Sequence, residues 1–245
     1  MADGVMPMLA QLRRNGAHLG LFLLGAWAWA SGLLPGLLDK WDDIAFLGWQ
    51  HVTLVAISGG AAIALGVPLG ILLTRPRFRP IGDAALQVLN IGATIPTLAV
   101  LALSMSLLGI GDSSAIFALF VASLLPIVSN AMAGLRAVPP HLLEAARGMG
   151  LSPRHMLLQV ELPNALFVIY TGIRTALAIN VGTVPLAFLI GGGGLGELIF
   201  TGIALNEFGT MLAGAIPTAL LAVLIDFILA QLQFWTIPRG VNPLR

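Results

Sequence analysis

Six stretches of this chain, residues 17–37, 50–74, 84–109, 113–134, 164–190 and 209–235, each carry no more than one Asp, Glu, Lys or Arg. A helix needs about 20 apolar residues to cross the roughly 30 Å hydrocarbon core of a bilayer. The spacing therefore predicts an all-α integral membrane protein with about six transmembrane helices. Hydrophobic residues make up 58% of the chain and charged residues 9%, where soluble domains carry about 25% charge. Prolines 68, 96, 126, 185 and 217 fall inside these stretches. Membrane helices tolerate such prolines where neighbours satisfy the freed carbonyls, so kinks are expected in the bundle. No internal repeat or linker divides the chain. It reads as a single membrane domain, with an N-terminal helix and connection over 1–47 and a core over 48–235. Arg13 and Arg14 ahead of an apolar run resemble a signal peptide, but 16–38 is too long for that apolar region.

Charge gives the orientation. Arg13, Arg14, Arg75, Arg77, Arg79, Arg136, Arg147, Arg154, Arg239 and Arg245 all fall on one side of a six-span arrangement. Lys40 stands on the other, with Asp39, Asp42, Asp43, Asp112, Glu197 and Glu207. The positive-inside rule places both termini, and the connection between the fourth and fifth spans, in the cytoplasm. A net charge of +1 suggests no nucleic-acid partner.

That fourth connection is a polar, helix-breaking hairpin in an otherwise lipid-soluble chain. It runs Glu144-Ala-Ala-Arg-Gly-Met-Gly150 and then, after nine residues, Val160-Glu-Leu-Pro163. Pro139-Pro140 ends the fourth span, and residues 141–149 read as a short helix in which Ala145 and Ala146 are small enough for another surface to approach. Gly150 supplies the turn. Ser152 is suited to cap a second helix with Pro153 at its first position, and Leu162-Pro163 is expected to end that helix before the fifth span. The result is a cytoplasmic helix-turn-helix. A DNA-binding role is geometrically implausible between two spans, and a plain solvated loop is the bland alternative.

Gly191-Gly192-Gly193-Gly194-Leu-Gly196 satisfies G-x-G-x-x-G, but it lacks the βαβ unit and the following acidic residue that dinucleotide binding needs. It reads either as a tight turn with a short helix folding back at the outer face, or as an external loop that meets a docked protein. Arg174 and Asp226 are the two ionisable residues inside spans, each about 15 Å from the cytoplasmic boundary at 1.5 Å per residue. Equal depth favours an intramembrane ion pair, and a gate or proton path is the alternative. Gly66-x-x-x-Gly70 lets the second span pack closely against a helix of this chain or of another subunit. Trp27, Trp29, Trp41, Trp49 and Trp235 read as interfacial anchors, as do His18, His51, His141 and His155 near span ends. The chain has no cysteine, P-loop, H-E-x-x-H or G-x-S-x-G. Nothing points to a catalytic residue, a metal or a cofactor, and the chain is not expected to hydrolyse ATP.

The Glu144–Pro163 pattern resembles the coupling loop of permeases of binding-protein-dependent ABC importers. Thr94-Ile-Pro96-Thr-Leu, Gly109-Ile-Gly111, Gly172-Ile-Arg174-Thr and Ile179-Asn-Val-Gly-Thr183 extend the likeness over about 48–235. Together they are similar to permeases of the osmoprotectant (glycine betaine/carnitine/choline) type, within a methionine-importer-like superfamily. The resemblance implies a multi-pass permease of the bacterial inner membrane that works with cytoplasmic ATPase subunits, a separate extracytoplasmic substrate-binding protein and a second permease. It also implies that Glu144, Ala145, Ala146 and Gly150 seat in the ATPase, with Leu162 and Pro163 shaping the return, and that the Gly-rich segment lies after the penultimate core helix. Methionine or another amino-acid-like solute is the second substrate class. An ion-coupled secondary transporter and a membrane scaffold are the readings outside that family.

Overall fold

Hydrocarbon offers backbone amides no partner, so apolar segments of this length satisfy their own amides as helices. The computed structural model describes residues 33–241, and every regular element in it is helical. In chain order these are α1 (Leu33–Asp39), α2 (Trp41–Leu73), a 3₁₀ turn (Pro76–Phe78), α3 (Arg79–Gly92), α4 (Thr97–Leu108) and α5 (Asp112–Arg136). Then come α6 (Pro140–Gly148), α7 (Pro153–Met156), a π turn (Leu157–Glu161), α8 (Leu162–Thr183), a 3₁₀ stretch (Val184–Ile190), α9 (Gly196–Ala204) and α10 (Phe208–Thr236).

Four helical segments are long and apolar enough to cross a membrane: Trp41–Leu73, Asp112–Arg136, Pro153–Ile190 and Phe208–Thr236. Pro76–Gly92 and Thr97–Leu108, bent by 100°, make a fifth if counted as one broken span. The stretch expected at 17–37 lies, up to residue 32, outside the described residues.

Three expectations about helix boundaries are corrected. Residues 84–109 are not one helix. Pro96 lacks an amide hydrogen and disfavours helical geometry at Ile95, so α3 stops at Gly92 and α4 restarts with Pro96 as its extended N-cap (ψ 133°). The second span begins nine residues earlier than expected, at Trp41, with Asp42 and Asp43 in its first turn, where the helix dipole favours anions. Leu162-Pro163 does not end a helix. The chain runs helical from Pro153 to Ile190, because the Leu162 amide reaches back five residues to the Leu157 carbonyl and this wider turn absorbs the proline. The Asn164 side chain donates to the Val160 carbonyl at 2.7 Å. Pro68, Pro126 and Pro217 do lie inside helices.

α5 is the centre of the bundle, with α2 on one side and α8 on the other. Small residues set both contacts. A Cβ at Gly70 would fall 2.5 Å from the Ala131 Cβ, and one at Gly66 would fall 2.8 Å from Ile127, so Gly66-x-x-x-Gly70 packs against α5 of the same chain. Across the other contact, a Cβ at Gly172 would lie 2.4 Å from Asn130. Ala62, Ile127, Ala131, Ala165, Ile169 and Ala176 bury the resulting seam. Nearer the start of α5, Leu54, Leu101, Leu119, Val181 and Val184 form a second core. α10 lies outside this trio, packed on α8 and α9.

Trp41, Trp49 and Trp235 stand exposed near the ends of their helices, while Trp27 and Trp29 lie outside the described residues. His51 is not interfacial but fully buried. Its Nε2 lies 3.1 Å from the Val181 carbonyl.

Contact between α9 and α10 depends on Gly202, where a Cβ would lie 2.2 Å from the Met211 amide nitrogen. Overpacking of this kind costs about 1–3 kcal/mol, and each kcal/mol shifts Tm by about 2–4 °C at this size. Gly202→Val is therefore expected to lower the melting temperature of the purified permease in detergent by several degrees. Gly209→Ala, which meets nothing within 4 Å, leaves it unchanged or slightly higher.

Candidate functional site

The α6 hairpin is built by local rules. Pro139 caps α6 from outside and Pro140 opens it, at the helix position that lacks a hydrogen-bond partner in any case. At its far end the Gly150 amide donates to the Arg147 carbonyl at 2.9 Å and the Leu151 amide to the Ala146 carbonyl at 3.1 Å. This pairing closes a helix only with the next residue left-handed, and Gly150 has φ +77°. Ser152 then caps α7, its Oγ accepting the His155 amide at 3.4 Å.

The hairpin presents Glu144, Ala145, Arg147 and Gly150 to the outside, together with the side chain of Met149, 71% exposed. Ala146 faces the other way and is 1% exposed. Its neighbour Ala145 is therefore the one of the pair that an external surface can touch. Leu162 packs against the α2–α5–α8 seam, and Pro163 is half-buried beside it.

Between Val160 and Leu162 lies a residue to which the sequence reading gave no role. Glu161 is 7% exposed and accepts a hydrogen bond from Arg75 Nη2. Arg75 also donates to the Ile71 carbonyl at 3.2 Å and to the Thr74 hydroxyl at 3.0 Å. The end of α2 and the return of the hairpin are thus tied together. A second ion pair, Arg136 to Asp83 at 2.7 Å, links the end of α5 to α3 on a more exposed surface.

Arg174 and Asp226 meet. Arg174 Nε and Nη2 donate to the two carboxylate oxygens, each at 2.9 Å. Arg174 Nη1 also donates to Gln233 Oε1 at 3.0 Å, and Gln233 donates to the Phe167 carbonyl at 3.2 Å. The pair is not sealed, with side-chain exposures of 31% and 44%. It lines an open cleft of about 440 Å³ with Thr171, Thr175 and Ile179. Ile179 also lines a larger, mostly apolar cleft of about 480 Å³ behind the α3–α4 break, which includes Asn90, Thr97 and Ser129.

Asn180, quoted in the sequence only as part of a resemblance, is a buried hub. Its amide donates to Ser58 at 2.9 Å and to Ser123 at 2.7 Å, which joins α8 to α2 and α5. Polar side chains on different spans gave no local sign that they would converge.

The Gly-rich run lies at the opposite end of α5 from the α6 hairpin. Gly191 (φ +78°) and Gly194 (φ +109°) take left-handed geometry. The Gly193 amide donates to Asp112 at 2.8 Å and the Gly194 amide to Gln50 at 3.1 Å. Residues 184–190 before it are 3₁₀ helix, and α9 follows it. Gly196 could be nothing larger, since a Cβ there would meet the Pro185 carbonyl at 2.1 Å. Gln50, Asp112 and Glu197 line an open cleft of about 470 Å³ beside the loop.

Comparison with known proteins gives a consistent answer. Residues 66–238 match the family described as binding-protein-dependent transport system inner membrane component. The osmoprotectant import permease protein OsmY of Salmonella typhimurium is 52% identical over 210 residues, covering 86% of this chain and 89% of that one. The choline transport system permease protein OpuBB of Bacillus subtilis is 38% identical, covering 83% and 93%. Among solved structures, an inward-facing form of the MetNI methionine ABC transporter aligns at TM-score 0.70 and 24% identity, over 81% of this chain and 96% of that one. That likeness concerns the fold.

Removing one partner of a charge pair inside a span strands the other, whereas removing both can be nearly neutral. Arg174→Met and Asp226→Leu are each expected to lower the melting temperature in detergent, and the double variant to recover most of the loss. Equal, additive losses in the four-protein cycle would show that the two side chains do not stabilise one another.

Proposed function

Because this chain belongs to the binding-protein-dependent transport system inner membrane components, the multi-pass permease subunits of bacterial ABC importers, which are not themselves ATPases, we propose that it carries an osmoprotectant such as glycine betaine, choline or a related quaternary amine. The support is the shared substrate class in the names of relatives 38–52% identical over most of their length. Methionine is the substrate in the name of a neighbour matched by fold alone, so it ranks second.

The observation that carries the mechanism is the α6 hairpin. It is a rigid, capped helix with exposed Glu144, Ala145, Arg147 and Met149, on a chain with no nucleotide-binding loop of its own. A separate ATPase grips this face, and closure of the ATPase pair on ATP pushes α6 and changes which side of the bundle is open. The Gly191–Gly196 end, rimmed by Asp112 and Glu197, receives the substrate-binding protein. Positive-inside counting keeps the hairpin and both termini cytoplasmic and favours six spans over five. A half-exposed ion pair at mid-span is costly against acyl chains. The Arg174–Asp226 face therefore turns to a second permease and to a water-filled path that continues past Ile179.

Reconstitution with the cognate ATPase and binding protein tests this. ATP-dependent uptake of labelled glycine betaine or choline is expected, and Glu144→Lys should abolish both uptake and co-purification with the ATPase. Uptake driven by an ion gradient without ATP would sink the proposal.

A further inference from the structure

The exposed hairpin face does not by itself explain how a push on α6 reaches the core helices. α6 packs on the π turn and on α7. The π turn, Leu157-Leu-Gln-Val-Glu161, ends at Glu161, which is 7% exposed. A carboxylate buried to this degree is costly unless it is paired with good geometry. Its partner is 86 residues away in the chain. Arg75 lies just beyond α2, already fixed to that helix through the Ile71 carbonyl and the Thr74 hydroxyl, and it meets Glu161 at 2.5 Å.

We propose that the Arg75–Glu161 ion pair is the positioning contact through which movement of the α6 hairpin is passed to α2. The route is then continuous. α6 bears on the π turn, Glu161 holds Arg75, Arg75 holds the last turn of α2, and Gly66 and Gly70 of α2 pack directly on Ile127 and Ala131 of α5. The π turn suits the task, because its wider helical turn lets Glu161 leave the α8 surface toward α2 without breaking the rod from Pro153 to Ile190. Gly82 supports the same joint from the other side, with a Cβ there falling 2.3 Å from the Leu73 carbonyl at the end of α2.

The inference rests on the importer reading, and the experiment separates the two. The complete transporter, reconstituted in vesicles, is compared as wild type, Glu161→Gln, Glu161→Asp and the exchange Arg75→Glu with Glu161→Arg. Assembly with the ATPase, ATP hydrolysis, melting temperature and uptake are read for each. Glu161→Gln is expected to assemble and hydrolyse ATP while uptake per ATP falls about tenfold, a loss equal to about 1.4 kcal/mol of coupling. Glu161→Asp and the exchange should regain part of that ratio. The proposal is overturned if Glu161→Gln keeps the wild-type ratio. It is equally overturned if assembly, melting temperature and uptake are lost together, which marks a purely structural pair. No ATP-driven uptake by the wild type would instead remove the importer reading.

Discussion

The distance between α2, α5 and α8 is the constraint on which the rest of this structure depends. Lipid is as apolar as leucine, so burying side chains alone does not hold spans together, and close packing must do so. Glycine at 66 and 70 lets α2 lie against Ile127, Ala131 and the Val128 carbonyl of α5, and Gly172 lets α8 lie against Asn130. At that separation the short side chains of Ser58, Ser123 and Asn180 can reach one another. A methyl group at any of these glycines would move the helices apart and break a buried polar node as well as a packing contact. The Gly-rich loop obeys the same economy, with Gly193 and Gly194 tied to the first turns of α5 and to α2.

Prolines show where sequence reasoning reached its limit. Both Pro96 and Pro163 were natural places to expect a helix to change course, and their outcomes differ. At Pro96 the preceding residues close into turns, with the Thr94 and Ile95 amides on the Ile91 and Gly92 carbonyls, and the chain bends by 100° between two helical segments. At Pro163 the preceding residues widen into a π turn, the Asn164 side chain takes up a carbonyl, and the helix continues. The difference lies in neighbours rather than in the proline. The four long spans were legible because charge exclusion is a property of each segment alone, and the Trp41 start was missed because Asp42 and Asp43 resemble a loop until the helix dipole is counted.

The site was legible in the same uneven way. Residues 144–150 announced themselves by polarity, and Gly150 by its place after a short helix. Ala146 was grouped with Ala145 by size, although helical geometry turns one outward and the other into the protein. Arg174 and Asp226 stood out because a charge in an apolar run has few neighbours that could answer it. Glu161 and Arg75 did not, since each sits near a span end where charges are ordinary, and only the fold brings residues so distant in sequence together.

The proposed roles fall on two charge pairs of different character. Arg174–Asp226 is bidentate, braced by Gln233, and open to a cleft. It can face water or a partner while remaining fixed, which suits the wall of a path. Arg75–Glu161 is more enclosed and ties the end of α2 to the return of the hairpin. An isolated pair of that kind contributes little net stability, because desolvation offsets attraction, but it resists separation because either partner left alone is penalised. A contact that is nearly neutral while made and costly when broken transmits displacement well. That property, more than strength, is what a joint between an external motor and a packed helical core requires.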